Sequence, residues 1–135
     1  MDAYDVKNIL FDALKKALLA SSETPSNLTV VAAFDVSATA FPRVVFQELS
    51  IATSSRTLDY DNYDKKLMYQ VDIFSKASAA ETELRRIAKI VNTILEGTFH
   101  LVQRASGNIT SVDTLSKRYV MTYIGNFDET RGVFH

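Results

Sequence analysis

The stretch "DYDNYD" at residues 59–64 concentrates the side chains of this sequence best suited to chemistry. Asp59, Asp61 and Asp64 supply three carboxylates, interleaved with Tyr60 and Tyr63. Carboxylates gathered this closely bind hard divalent cations, either as a calcium loop or as a magnesium-dependent nuclease centre. A calcium loop of the EF-hand type requires glycine at its sixth position and glutamate at its twelfth, counted from Asp59. Asp64 and Gln70 stand there instead, so that pattern fails. A looser magnesium or manganese site needs carboxylates from elsewhere, and Asp35, Glu48 and Asp72 are the candidates, although no spacing ties them together. The alternative is a polar connection between two strands, where Asp and Asn favour turns and tyrosines favour contact with another protein.

Other chemistry is sparse. The chain has no cysteine, which removes thiolate nucleophiles, disulfides and cysteine-based metal sites. His100 sits in an apolar stretch and is read as a structural histidine in a strand, while His135 is the last residue; together they make a poor acid–base pair. The four glycines are isolated, so there is no phosphate-cradling loop, and no serine stands in a G-x-S-x-G elbow. The expectation is a protein that is not an enzyme and holds no cofactor or metal. A net charge of −1 gives no basic footprint for nucleic acid. Lys65, Lys66, Arg85, Arg86, Lys89, Arg104, Lys117 and Arg118 are spread among acids, as on a solvated surface or in charge-paired contacts between copies.

The elements that must position these residues follow from periodicity. With 135 residues, 47% of them hydrophobic and 23% charged, the chain reads as one globular domain with a real core. Residues 5–20 form a helix whose stripe is Val6, Ile9, Leu10, Ala13, Leu14, Ala17 and Leu18. The charges of this segment rule out a membrane span, and it lacks the layout of a signal peptide, so the protein is expected to be soluble and intracellular when made. Strands are predicted at 28–34, 41–52 and 65–75. In the last, Leu67, Tyr69, Val71 and Ile73 take one face and Met68, Gln70, Asp72 and Phe74 the other. A second helix opens with the capping box "SAAE" at 78–81, buries Leu84, Ile87, Ala88, Val91, Ile94 and Leu95, and ends at Gly97 as a left-handed cap. Strands at 98–105 and 116–127 follow, with a loop at 106–113 and a patternless, mobile tail over 128–135. The order α-β-β-β-α-β-β predicts an α+β fold, a single mixed or antiparallel sheet with both helices on one face.

Read together, the helix "YDVKNILFDALKKAL", the strands "FPRVVFQ" and "YQVDIFSK", the helix "SAAETELRRIAKIVNTIL" and the late strand "KRYVMTYIGNF" resemble the tail terminator, or tail completion, proteins of long-tailed bacteriophages. These are also called minor tail or tail-to-head joining proteins. The resemblance spans nearly the whole chain and rests on strand and helix patterns. It implies a structural virion protein, assembled in the host bacterial cytoplasm, that forms a ring, typically a hexamer, on the head-proximal end of the tail tube. Its partners would be further copies of itself, the tail tube protein and a head-closure or connector protein, with genomic DNA passing through the bore without sequence-specific binding and no membrane involved. Under this reading the loop at 53–64 projects from the sheet. Arg56, Asp59, Tyr60, Asp61, Tyr63 and Asp64 become candidate contact residues, with tyrosine docking on the tube favoured over acidic tips that repel DNA in the bore. The rivals are a head-closure or neck protein of the same virion, a metal-dependent nuclease using Asp59, Asp61 and Asp64, and an α+β dimer that binds a small ligand.

Overall fold

A computed structural model describes residues 3–22, 28–32, 42–56, 63–75, 80–109, 117–128 and 131–134. Helix α1 (Ala3–Ala20) repeats apolar residues at four-residue steps, and Val6, Leu10, Leu14 and Leu18 are all buried. Strands β1 (Thr29–Val31), β2 (Arg43–Arg56) and β3 (Tyr63–Ser75) come next, then helix α2 (Ala80–Asn92). A π-helical turn (Thr93–Thr98) leads into β4 (Val102–Ile109), β5 (Lys117–Asp128) and the short β6 (Val133–Phe134). The fold is α+β: one mixed sheet in the order β1-β2-β3-β5-β4, with β6 also pairing with β5. Among the described residues, only the β1–β2 pair is parallel. No helix among the described residues is long and apolar enough to cross a membrane.

Strand β3 is paired on both sides over nearly its whole length, with β2 and with β5. Its alternation therefore sets the two faces of the sheet. Val44 stands in register with Ile73, Phe46 with Val71, and Tyr123 with Tyr69, so these residues share the apolar face. Leu84, Ile87, Val91 and Leu95 of α2 join the stripe of α1 in one core over that face. Phe11 of α1 stacks toward Phe46, and Phe46 on Tyr69 with centroids 5.3 Å apart. Both helices thus cover the same side of the sheet.

Several boundaries differ from those read in the sequence. Strands β2 and β3 run on through "TSSR" and from Tyr63, so the connection expected over 53–64 narrows to residues 57–62. Gly97 is not left-handed; the helix widens into the π-turn and carries on through Thr98. The left-handed residue after it is His100, with φ of 61°, and Leu101 N donates to Leu95 O at 2.9 Å to close the turn. His100 is consequently exposed and outside any strand, contrary to its reading as a structural histidine in a strand. The later start of β4 carries it through Ile109, into the stretch expected as a loop. The tail contributes β6, in which Phe134 pairs with Phe127 across a turn closed by Gly132 N donating to Asp128 O at 2.7 Å. Gly132 supplies the left-handed φ of 69° in that turn. The capping box at 78–81 falls partly outside the described residues.

Strands β2 and β4 carry bulges. Leu49 and Ser54 are extra residues in β2, and Arg104 is the extra residue in β4. Beyond Val45 the outer edge of β2, like the outer edge of β4, has no strand partner among the described residues. A bulge bends the strand and interrupts its ladder, which discourages another strand from adding there.

At Gly125 the sheet has no room for a side chain. A Cβ there would run into Leu101 Cδ2 and would lie 2.9 Å from the ring of Phe134. Leu101 is buried, so little can move aside. Replacing Gly125 with Ala is expected to cost about 1–3 kcal/mol and to loosen β6 first. Urea unfolding would read the stability loss, and hydrogen exchange at Phe134 would read the loosening.

Candidate functional site

Of the residues singled out by the sequence, the structure places Arg56, Tyr63 and Asp64 at one end of the sheet. Arg56 and Tyr63 form the last cross-strand pair of the β2–β3 ladder, and Asp64 pairs with Ser55 on one side and Asp128 on the other. Asp59, Tyr60 and Asp61 lie outside the described residues, in the six-residue link between those strands. Of the carboxylates proposed to help them, Glu48 and Asp72 do not converge. Glu48 stands opposite Tyr69 on the helix-covered face, whereas Asp72 points to the other face, opposite Val45. Asp35 lies outside the described residues. Among the described residues, no three carboxylate or imidazole groups come together as metal ligands.

Asp72 has a different occupation. It is fully buried, and Arg118 Nη2 approaches its Oδ2 at 3.2 Å. Gln47 donates to Oδ2 at 3.2 Å, and Gln70 lies within 3.1 Å of both oxygens. The guanidinium groups of Arg43 and Arg118 lie over the Phe74 ring, at 4.8 and 5.5 Å from its centroid. Arg118, read in the sequence as part of a solvated surface, instead closes a polar network on the sheet face away from the helices. A buried carboxylate without such partners would be costly, and here each oxygen is satisfied.

Glu48 is set differently. Its Oε2 and the Tyr69 hydroxyl, on neighbouring strands, are buried without hydrogen-bond partners. Burial pushes the Glu48 carboxyl up from its ordinary range, with Lys7 on α1 opposing the rise. Burial also raises the Tyr69 hydroxyl, and the nearby Glu48 charge adds to that.

A second set of polar groups ties the exit of α2 to the sheet. Tyr123 donates to Asn92 Oδ1 at 2.9 Å, Asn92 donates to Glu96 at 3.2 Å, and the other Glu96 oxygen accepts from Gln103 N at 2.7 Å. Burial, then the Glu96 charge and Tyr119, raise the Tyr123 hydroxyl well above its usual range. This chain of bonds fixes the π-turn and the approach to β4.

Between that turn, the first turns of α1 and β6 lies an apolar cleft of about 300 Å³. Ile9, Leu10, Phe99 and Phe134 supply most of its wall, and Thr98 and His100 its polar rim. Ile9 is 39% exposed there, one of the few large apolar side chains at the surface. The cleft sits at the same end of the sheet as the 57–62 link, because its Phe127 wall pairs with Lys65 and the adjoining Asp128 with Asp64. Sequence reasoning missed it, since it joins three distant segments. The unplaced signals were a stripe residue, Ile9, that α1 does not bury fully, and an aromatic in a tail with no pattern.

Two outcomes test these environments. A carboxyl raised on folding contributes stability that is present below its unfolded pKa and lost as pH rises through the folded value. Glu48→Gln should therefore melt higher than the wild type at pH 7, with the gap closing below about pH 4; thermal melts across that range check it. Asp72→Ala should cost roughly 3 kcal/mol by stranding Arg118 beside the sheet, toward the low end for a broken buried pair because Arg118 keeps some solvent. Chemical denaturation of the two proteins measures that loss.

No protein-family model matches the chain, and neither does any curated protein.

Proposed function

We propose that this protein is a subunit of a ring that caps the head-proximal end of a phage tail tube, halting tube growth and offering the surface to which the head is joined. The observation that carries the reading is the arrangement of the two stretches on which the resemblance rests. Within "FPRVVFQ" and "YQVDIFSK", residues 43–47 belong to β2 and residues 69–75 to β3, paired in register Val44 to Ile73 and Phe46 to Val71. The helix after "YQVDIFSK" then returns over the same face, where Ser75 donates to Glu83 at 2.9 Å. That the described parts of these stretches pack against one another supports the reading.

Physically, a tube of stacked rings grows by repeated head-to-tail contacts and stops only when a subunit matches the tube on one side and presents a different surface on the other. Such a role asks for a stable tile with one distinctive contact region. The sheet end that carries the 57–62 link and the apolar cleft supplies that region. The reading is non-enzymatic and needs no cofactor. It places the protein in the virion, as a ring homo-oligomer, expected to be a hexamer, with tail tube protein on one side and a head-closure or connector protein on the other. Genomic DNA would pass through the bore without base contacts.

The test is assembly. Tube protein polymerised alone should give tubes of unlimited length, and adding this protein should shorten them to a defined end. Deleting residues 58–62, which lie beyond the paired ends of β2 and β3, should preserve the melting transition and abolish capping. Tubes of unchanged length distribution in the presence of the wild type would overturn the assignment.

A further inference from the structure

Contacts between copies require an adhesive surface, and the bulged outer strands are poor candidates for one. The cleft at the end of the sheet is a better one. Its walls are held before any partner arrives: the π-turn is locked by Glu96 bonded to Gln103 N, and Leu101 N is bonded to Leu95 O. His100 keeps a left-handed backbone at the rim, a conformation uncommon for a residue with a side chain. On the opposite wall Phe134 is fixed edge-on to Phe127, with centroids 5.2 Å apart. A preformed cleft loses little freedom when it is filled. At about 300 Å³ it stands at the small end of ligand sites, a size suited to an aromatic side chain rather than a large cofactor.

The polar groups around it narrow the choice. His100 and Thr98 offer hydrogen-bond donors at the rim, while the adjoining Arg131 is already paired with Asp128 at 2.9 Å. An aromatic residue flanked by carboxylates complements that surround. The chain carries such a segment itself, "DYDNYD", in the link between β2 and β3. The link leaves the sheet at the same end as the cleft but from other strands: β2 and β3 on one flank, with β6 beyond β5 on the other. Copies set side by side with their sheets aligned would bring the link of one to the cleft of the next. That contact joins unlike surfaces, which is the kind that closes a ring when its rotation permits.

We infer that the cleft formed by Ile9, Phe99, His100 and Phe134 is the socket in which a neighbouring copy seats the Asp59–Tyr60–Asp61 segment. This deepens the ring reading and rests on it for the number of copies, while the contact itself is open to a separate test.

A synthetic peptide of residues 56–64 is titrated into the full-length protein and into the variant lacking residues 58–62, with NMR shifts followed at Ile9, Phe99, His100 and Phe134. Saturable binding to both proteins is expected. It should weaken at least tenfold when Tyr60 of the peptide is Ser, and likewise in the exposed variant Ile9→Asp. His100→Gly, which retains the left-handed backbone, should weaken binding while leaving the fold's melting transition in place. Binding to the deletion variant alone would mean that each chain fills its own cleft, and would overturn the proposal. Absence of saturation with both proteins, or shifts confined to other surfaces, would overturn it equally. Because no tube protein is present, failure here is distinct from failure of the capping assay.

Discussion

The alternation of β3 is the constraint from which the rest follows. Paired on both sides, it can bury Leu67, Tyr69, Val71 and Ile73 against the helices only if Asp72 and Phe74 point the other way. A slip of one residue would drive Asp72 into the apolar core and set Val71 among the polar groups that now surround Asp72. The two faces are accordingly finished by different means. One is closed by α1 and α2 through apolar packing. The other is organised by the Asp72–Arg118 pair and the two glutamine amides, with arginine groups laid over Phe74. That network contributes directionality more than net energy, since buried ion pairs offset their own desolvation only partly. It defines which strands meet and in which register.

The second organising feature is the passage from α2 to β4. An α-helix ending at Gly97 would have sent the chain out three residues earlier. The π-turn instead carries it past Gly97, so that Leu101 drops into the space that Gly125 leaves open. Tyr123, Asn92 and Glu96 hold this path from the sheet side. The cleft is therefore a by-product of how the helix stops, widened by the return of β6 beside β5.

What could be read in the sequence was whatever a single segment determines. The period of two in β3 and the four-residue steps of α1 and α2 identified their elements and buried faces, because burial of one side leaves a regular mark. The polar ends of β2 and β3 left none: "TSSR" has no apolar alternation, and its strand character comes from continuing a ladder already in register. Gly97 misled because a glycine after an apolar helix usually marks its end, and the competing network lies on strands far along the chain. Asp72 and Arg118 carry no mutual spacing, and their pairing exists only once β3 and β5 are side by side. That the acidic segment joins β2 to β3 follows from chain order alone, whereas the cleft needed three segments at once and was invisible from any one.

The bulges at Leu49 and Arg104 have a consequence for the protein's life in a crowded cell. Long flat strand margins are templates for fibril nucleation, and newly made copies of a single polypeptide are the neighbours most able to exploit them. Broken margins at both sides of the sheet let many copies accumulate near one another without zippering into an endless ribbon.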